Sequence, residues 1–304
     1  MAACLDSLAA EGVERVLVVD NGSDDGTSDL LADRADVEVL RLPENLGFAG
    51  GAARGLEALQ DADLVLLVND DAQVLPGAVQ ALVAAAAEPG NERVAAFTAQ
   101  VLLPADEHGV QRVNSTGNVL LADGRGADRD WLAFPEEASR EPDVFGFCGA
   151  AALLRREALD DVGSFEPGFF LYYEDTDLSW RMRLRGWQIR YVGEAHVLHE
   201  HAQSSGVGSP VFLFYNWRNQ LLCLTRNAPA WLVLREVLRT LVKCVLAPAV
   251  SRDTAAVRRA ALAGYVRMLP LTLRQRRDIG RRAVLSRREV ARLRRRQPRI
   301  GVGA

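Results

Sequence analysis

The sequence predicts an α/β protein built on a doubly wound, mostly parallel sheet. Apolar runs of strand length occupy residues 16–19, 37–42 and 64–68. Segments with helical spacing of apolar residues follow at residues 28–33, 52–59 and 77–87. A polar or glycine-rich loop separates each run from the next helical segment. This repeated order of strand, loop and helix is typical of a sheet with helices on both faces.

The order becomes irregular after the strand predicted at residues 94–103. Residues 104–142 are rich in Gly, Asp and Arg and contain only hairpin-like pieces at 110–113 and 119–121, so we interpret them as an insertion covering one end of the sheet. Strand-like segments return at 144–154 and 188–192.

Charge is unevenly distributed along the chain. Residues 252–304 carry sixteen Arg and three acids, a charge of +13, which leaves −17 for the rest of a chain whose net charge is −4. Residues 230–247 place Arg235, Arg239 and Lys243 on one stripe of an amphipathic helix, with too many charges to span a membrane. We expect this basic end to dock on an anionic membrane surface. The alternatives are a helical cap on the body and, beyond residue 285, a solvated tail.

The cysteines and the hydropathy of the chain indicate where in the cell the protein is expected. The four cysteines show no CxxC spacing, which predicts free thiols. No signal peptide and no apolar run of about 18–20 residues is visible. We therefore expect a cytoplasmic protein, peripheral at the inner face of the plasma membrane. No nucleic-acid partner is expected, because the arginine-rich end has no interleaved aromatic residues.

Two strands run directly into acidic clusters. The strand at 64–68 ends in Asn69-Asp70-Asp71, and the strand at 16–19 ends in Asp20-Asn21-Gly22-Ser23. Ligands of open α/β sheets bind beyond the carboxyl ends of the strands. The adjacent carboxylates of Asp70 and Asp71 favour Mg²⁺ or Mn²⁺, which would clamp a diphosphate. The Asp20 cluster could hold a nucleoside, with the Asp20 carboxylate accepting from a base N–H or a ribose hydroxyl. The alternative for both clusters is the capping of a turn or helix.

A third acidic cluster, Glu174-Asp175-Thr176-Asp177, follows an aromatic run. A carboxylate among aromatic rings has a raised proton affinity and can act as a general base. The alternative is that Asp175 is the N-cap of the helix that ends near Gly186. Further along, His196 and His199 lie three residues apart, so one strand cannot direct both at one metal ion, and we expect a single histidine ligand.

These motifs, in this order, resemble the inverting family 2 glycosyltransferases, and among them the bacterial rhamnosyltransferases that use a dTDP-sugar. The matching segments are VVDNGSDDGT, PENLGFAGG, LVNDD, GSFEPGFFLYYEDTDLSWRMRLRGW, AHVLH and YNWRN. The resemblance runs from about residue 3 to residue 227. It implies a GT-A fold with a nucleotide-binding half and an acceptor half in residues 1–227, followed by a helical, arginine-rich region in 228–304.

The resemblance implies a role for each matched residue on the donor side. The residues expected to bind the nucleotide-sugar are Asp20, Asn21, Ser23, Asn45, Gly47, Asp70 and Arg218. Among them, Asp20 would meet the pyrimidine base, Asp70 the ribose and Arg218 the diphosphate.

The remaining matched residues are expected to hold the metal and perform the transfer. Asp71 and His199 would bind the divalent cation. Asp175 would be the catalytic base, with Glu174 supporting it.

The implied activity is the inverting transfer of a sugar, with rhamnose from dTDP-rhamnose the best match, to a hydroxyl of a cell-envelope glycan or a lipid-linked acceptor. The alternatives are a UDP-sugar donor such as a galactofuranosyl donor, a catalytically impaired sugar-nucleotide-binding or scaffold protein, and a metal-dependent nucleotidyltransferase with the same acidic loops.

Two departures from the family pattern bear on these expectations. Ala53 stands where many relatives have Asn in the donor-side loop. The family also begins with a strand before its first helix, whereas Met1 stands here at the start of the helix predicted at 2–10. The first strand of the family fold is therefore expected to be absent, which would expose the edge of a neighbouring strand beside the nucleotide site.

Overall fold

The structure is a computed structural model that describes residues 1–200, 208–246 and 252–294. His201, which the sequence groups with His196 and His199, lies outside these residues, as do the arginines from 295 onward.

The elements of the described chain alternate as the sequence predicts. Its strands are β1 (Leu17–Asp20), β2 (Glu38–Arg41), β3 (Leu64–Val68), β4 (Ala72–Val74), β5 (Val94–Leu102), β6 (Val113–Ser115), β7 (Asn118–Leu120), β8 (Gly126–Asp128), β9 (Ala151–Arg155) and β10 (Gln188–His199). Its helices are α1 (Ala2–Ala10), α2 (Thr27–Ala32), α3 (Gly47–Ala58), α4 (Ala78–Ala87), α5 (Arg156–Val162), α6 (Glu174–Leu184), α7 (Pro210–Asn227), α8 (Ala230–Leu246), α9 (Arg252–Arg282) and α10 (Arg287–Ala291).

The central sheet has the strand order β3-β9-β5-β10-β4, with β6 added beside β5. The α/β class is confirmed, but the ladders are more mixed than the sequence predicts. Strands β5 and β10 are parallel, whereas the other ladders of this sheet are antiparallel. The physical reason is that β9 lies between β3 and β5 and runs opposite to both, so that β3, β5 and β10 still share one direction.

Strands β1 and β2 form a separate parallel pair. Helix α3 lies against this pair, and a Cβ added to Gly55 would come within 3.0 Å of Val19. The glycine-rich segment that the sequence predicts as a turn is the first part of α3, which begins at Gly47. Glycine is required at Gly47, whose φ angle is 70° and where an added Cβ would overlap the Phe170 carbonyl oxygen.

The C-terminal helices share an apolar cluster with the body of the protein. Trp180 of α6, Leu221 of α7, Leu232 of α8 and Tyr265 of α9 belong to one buried group. This cluster joins helices on both sides of the boundary predicted at residue 228. None of the described helices is long and apolar enough to cross a membrane.

The interpretation of the chain beyond residue 285 as a solvated tail is wrong for residues 286–294. Helix α10 forms there, because the Ser286 hydroxyl and the Glu289 carboxylate cap it reciprocally. The buried side chains of Val290 and Ala291 then anchor it.

The insertion predicted at 104–142 contributes three short strands. Strand β6 extends the central sheet beside β5, and β7 and β8 form an antiparallel hairpin. Asn118 of this hairpin bridges to Gly146 through backbone hydrogen bonds in both directions, 2.6 and 3.0 Å long. The insertion is therefore fixed against the chain that leads to β9.

Candidate functional site

Asp71 and His199 meet at the carboxyl ends of β3 and β10. Strand β4 pairs with the end of β10 in a register that places His199 opposite Ala72, the residue after Asp71. The His199 Nε2 atom lies 3.1 Å from Asp71 Oδ1. Burial raises the pKa of Asp71, but its hydrogen bond to His199 and the charge of that ring outweigh burial and lower the pKa. These two residues, predicted as metal ligands, are thus brought together.

The orientation of the His199 ring bears on what the pair can bind. Its Nδ1 atom lies 2.8 Å from Asn114 Oδ1, and because this assigned amide oxygen can only accept, Nδ1 carries the proton. In the neutral ring, Nε2 then presents a lone pair towards the Asp71 carboxylate. Two acceptors at this distance require a cation, either a proton or a metal ion, between them. The backing of a histidine by an amide oxygen is also a common way to orient a metal ligand.

The surrounding atoms fit a hard divalent cation. Asn69 Oδ1 is buried without a hydrogen-bond donor in the described part of the chain, and Asp71 Oδ1 is buried against the His199 ring nitrogen. Carboxylate, amide and imidazole ligands suit Mn²⁺, and the oxygen ligands suit Mg²⁺. Among the described residues no cluster of three or more His, Cys, Asp or Glu side chains is arranged to hold a metal. A cation here would need further ligands from a donor diphosphate or water.

Asp175 lies near the start of α6 and is partly exposed. Tyr173, not Asp175, is the N-cap of this helix, so the capping alternative is wrong. The Asp175 Oδ2 atom accepts hydrogen bonds from Asn118 Nδ2 at 2.8 Å and from the Gly149 amide at 3.3 Å, while Oδ1 accepts one from the Thr176 amide at 2.5 Å. Burial raises the pKa of Asp175, and these hydrogen bonds offset part of the rise. The group is a held carboxylate with an increased proton affinity, as its predicted role as base requires.

The two neighbouring acids have different environments. Glu174 is buried, its Oε2 atom has no hydrogen-bond partner among the described residues, and burial together with the charge of Asp175 raises its pKa well above the usual value. Asp177 is fully buried and forms ion pairs with Arg181 and Arg226. Of these three carboxyl groups, Asp175 is thus the one that is partly exposed and suited to accept a proton from a substrate.

The loop before α6 has a strained backbone. Phe170, Tyr172 and Tyr173 have φ angles of 64°, 68° and 72°, in the left-handed region that non-glycine residues rarely adopt. Asn219 of α7 holds this loop, because its Nδ2 atom lies within 2.9 Å of the carbonyl oxygens of Phe169, Leu171 and Tyr172. Strain of this kind persists only where the surroundings enforce it, so α7 positions the segment that carries Asp175.

Arg218 also belongs to this support. Its Nη2 atom donates to the Gly168 and Phe169 carbonyls at 3.0 and 2.8 Å, and its guanidinium lies 4.8 Å from the centre of the Tyr215 ring. The structure therefore places Arg218 as a positioning residue of the loop. Its predicted contact with the diphosphate stays a prediction.

The residues predicted to bind the nucleotide come together at the end of β1. Asp20 is buried, and a hydrogen bond from the Ser23 amide, 2.9 Å long, is the main cause of the lowered pKa of its carboxyl group. Asn21 Nδ2 bridges to Asn45 Oδ1 at 3.2 Å and to the Gly47 carbonyl at 3.0 Å. These side chains already join the two loops, so their contact with a nucleotide stays a prediction.

The donor-side loops adjoin the segment that carries the base. The Ala49 amide donates to the Phe170 carbonyl at 3.1 Å, and a Cβ added to Gly149 would lie within 3.8 Å of both Asp175 and Phe48. Asp70 is exposed at the same end of the sheet, next to Asp71. The nucleotide-side residues and the predicted base therefore adjoin.

Sequence reasoning missed three polar residues of the insertion. Asn114 orients His199, Asn118 donates to Asp175, and Asp128 lies opposite Asn118 in the hairpin. The available signal was the dense polar run between Val113 and Val119. Which of these side chains face the site depends on strand pairing that the local pattern does not reveal.

Comparisons with known proteins agree with this geometry. The family model described as Glycosyl transferase family 2 matches residues 1–163. The N-acetylglucosaminyl-diphospho-decaprenol L-rhamnosyltransferase of Mycobacterium tuberculosis (strain CDC 1551 / Oshkosh) is 29% identical over 246 residues, which cover 74% of this chain and 79% of that protein.

Two solved structures share the fold. The mannosyltransferase PcManGT from Pyrobaculum calidifontis, in complex with GDP-Man and Mn²⁺, has a TM-score of 0.51 at 16% identity and covers 91% of this chain and 80% of its own. The structure of GalNAc-T7 with UDP, GalNAc and Mn²⁺ has a TM-score of 0.55 at 13% identity and covers 73% of this chain and 44% of its own. At these identities the likeness concerns the fold alone.

Proposed function

The chain is a member of glycosyl transferase family 2 with a GT-A fold, and we propose that it transfers rhamnose from dTDP-rhamnose, with inversion, to a hydroxyl of a cell-envelope glycan or lipid-linked acceptor. The observation that carries this proposal is Asp175, a partly exposed carboxylate with a raised pKa that adjoins the donor-side loops. The choice of rhamnose rests on similarity to the mycobacterial rhamnosyltransferase.

Asp175 accepts the proton of the acceptor hydroxyl as its oxygen attacks the anomeric carbon. Asn118, Gly149 and Thr176 hold the carboxylate in one orientation during this step. Attack from the face opposite the leaving group inverts the anomeric configuration. This direct displacement needs no carboxylate nucleophile, in contrast to double displacement by a retaining hydrolase.

Asp71 and His199 hold the leaving-group side of the reaction, with Asn69 beside them. A bound Mg²⁺ or Mn²⁺ ion supplies positive charge that stabilises the departing diphosphate. Support for this cation comes from the Asp71–His199 contact, from the buried Asn69 Oδ1 atom, which has no donor among the described residues, and from the Mn²⁺ named with both solved structures.

Product analysis tests the proposed function. Incubation with dTDP-rhamnose, a polyprenyl-diphosphate-linked N-acetylglucosamine acceptor and Mn²⁺ is expected to release dTDP and form a rhamnosylated acceptor. A nucleotidyltransferase would not release dTDP in step with glycoside formation, and a protein that only binds sugar nucleotides would form no product. Release of UDP from a UDP-galactofuranosyl donor, with none from dTDP-rhamnose, would overturn the choice of donor.

Removing the Asp71 carboxylate is expected to eliminate metal-dependent donor binding. In Asp71→Ala, affinity for dTDP-rhamnose in Mn²⁺ should fall by about tenfold or more, the scale seen even for residues one step removed from a metal. Isothermal titration calorimetry with and without Mn²⁺ measures the difference. Asp63→Ala is the matched control, because Asp63 is exposed just before β3 at the opposite end of the strand. An undiminished response to Mn²⁺ in Asp71→Ala would refute this assignment.

The exposed side of helix α8 supports a site of action at a membrane surface, and we place that site at the cytoplasmic face as part of the proposal. The outward side of α8 carries the large apolar residues Leu234, Leu238, Leu241, Val242 and Val245, which are 42–76% exposed. Lys243 lies beside this stripe, and Arg235 and Arg239 form ion pairs on the side towards the β7–β8 hairpin. An apolar stripe flanked by cationic side chains is suited to an anionic bilayer surface. We propose that α8 docks there and gives the enzyme access to a lipid-linked acceptor.

Sedimentation with vesicles tests this docking. The native chain is expected to sediment with vesicles of phosphatidylglycerol and phosphatidylcholine, and the double variant Leu234→Glu/Leu238→Glu to stay largely in solution. Val83→Glu is the control, since Val83 is similarly exposed on α4 in another part of the protein. Equal sedimentation of the native chain and the double variant would remove the membrane proposal. Point variants are preferable to deletion, because the C-terminal helices share the core.

A further inference from the structure

Asp128 is an acidic residue of the insertion to which the mechanism above assigns no role. It is the last residue of β8, directly opposite Asn118 in the antiparallel ladder with β7. Directly opposite residues of such a ladder project to the same face of the hairpin. The Asn118 side chain identifies that face, because its Nδ2 atom donates to Asp175 Oδ2 at 2.8 Å. Asp128 therefore projects from the face of the hairpin that meets the catalytic base.

The backbone around Asp128 lies between the two ends of the reaction. The next residue, Arg129, exchanges backbone hydrogen bonds with Thr116 and Gly117, which lie in sequence between Asn114, the partner of His199, and Asn118, the partner of Asp175. Burial raises the pKa of its carboxyl group to about 6, with a further rise from the charge of Asp175, whereas Ser115 and the charge of His199 act in the opposite direction. The group thus interacts both with the base and with the histidine of the leaving-group side. No described Lys or Arg forms an ion pair with it within 4.0 Å.

Inverting transfer places the anomeric carbon between the two groups that act on it. The acceptor oxygen approaches from Asp175, and the diphosphate departs towards Asp71 and His199. A side chain on the face of the hairpin that meets Asp175, in the segment between the partners of Asp175 and His199, is in position to contact the sugar ring that is being transferred. The half-buried carboxylate of Asp128 can accept hydrogen bonds from two hydroxyls of that ring.

We infer that Asp128 binds hydroxyl groups of the transferred sugar and thereby contributes to donor specificity. This inference rests on the proposed function, since it places the donor sugar between Asp175 and the Asp71–His199 pair. The Asp128 carboxylate has no ion-pair partner among the described residues, so hydrogen bonds from sugar hydroxyls would stabilise it. A sugar nucleotide without these hydroxyls would leave the carboxylate without those hydrogen bonds and would bind less tightly.

The test compares a sugar nucleotide with the nucleotide alone. In Asp128→Asn, affinity for dTDP-rhamnose and kcat/KM for this donor should each fall by about tenfold, the effect of losing a hydrogen bond to a charged group. Affinity for dTDP and the acceptor KM should be unchanged. Asp123→Asn is the control, because Asp123 lies in the same hairpin but pairs with Arg125 and Arg239 away from the base.

The two kinds of failure are distinguishable. If the native chain forms no glycoside product, the proposed function fails, while the binding comparison between dTDP-rhamnose and dTDP still tests Asp128. An Asp128→Asn variant that retains native affinity for dTDP-rhamnose relative to dTDP would overturn the inference. Two further results would assign Asp128 a structural role and would also overturn the inference. One is an equal loss of affinity for dTDP and dTDP-rhamnose, and the other is a lowered melting temperature with an unchanged ratio of these two affinities.

Discussion

Replacing Asp175 with Asn is expected to reduce sugar transfer by about 10²–10⁴-fold, the usual contribution of a general base. The amide keeps the size of the carboxylate but cannot take the proton from the acceptor hydroxyl. Donor binding should persist, because the predicted metal and nucleotide ligands are other residues. Rates of dTDP release and calorimetric donor affinity, measured on the same preparation, separate the two effects.

Glu174→Gln is the matched control for this prediction. Burial and the charge of Asp175 raise the pKa of Glu174 well above its usual value, which favours the neutral carboxyl form. An amide resembles that form, so transfer should fall far less than in Asp175→Asn. A variant at Glu174 that loses as much activity as Asp175→Asn would contradict the assignment of the base. So would an Asp175→Asn enzyme with substantial turnover.

The pH dependence of the native enzyme should report the same group. Because the pKa of Asp175 is raised by burial, kcat/KM should fall on the acid side at a pH above the ordinary aspartate value of about 3.9. At a pH above the raised pKa, the Asp175 carboxylate is ionised and can accept a proton. At a pH below it, the carboxyl group is already protonated and cannot act as a base.

Replacing Asp177 with Ala is expected to lower the free energy of unfolding by about 3–5 kcal/mol. The reason is that two buried guanidinium groups, those of Arg181 and Arg226, lose the carboxylate that they share. The Asp177 carboxylate is fully buried between Arg181 and Arg226, with N–O distances of 2.9 and 2.7 Å, and also accepts a hydrogen bond from Asn227 at 2.7 Å. It joins α6 to the end of α7. Urea denaturation followed by circular dichroism measures the change.

Asp278→Ala provides the comparison for this stability prediction. Asp278 forms an ion pair with Arg281 on the exposed surface of α9, so its loss should leave stability unchanged within error. Burial raises the pKa of Asp177, but the charges of Arg226 and Arg181 outweigh it and lower the pKa. The stabilisation by Asp177 is therefore present above the unfolded carboxyl pKa and lost as pH falls through the lower folded value. Equal midpoints for the native chain and Asp177→Ala would contradict the prediction.

Local sequence patterns were sufficient for the main elements that carry the site. The apolar run at 64–68 is a strand with the predicted bounds, and the acids Asp70 and Asp71 follow it at the end of the sheet. The helix after the aromatic run likewise places Asp175 near its start. Such elements are predictable because their burial pattern and polar ends are encoded within a few neighbouring residues.

The role of Arg218 shows where pattern alone was insufficient. The family resemblance implies that Arg218 contacts the diphosphate, which stays a prediction, and it gives no sign that the side chains of Arg218 and Asn219 support the strained loop at 168–173. The reason is that α7 lies beside this loop, and the carbonyls of Gly168, Phe169, Leu171 and Tyr172 point towards it. A basic side chain does not reveal from sequence whether its partner is a ligand or the backbone of another segment.

The sequence by itself determined the α/β class, the acidic ends of the strands and the candidate base, because each depends on residues close together in the chain. Only the tertiary structure decided the mixed order of the sheet and the contribution of Asn114, Asn118 and Asp128. Strands β6, β7 and β8 have three residues each, too few for a periodic signal. Their side chains reach the site because long-range pairing, such as that of Asn118 with Gly146, fixes the hairpin against the sheet.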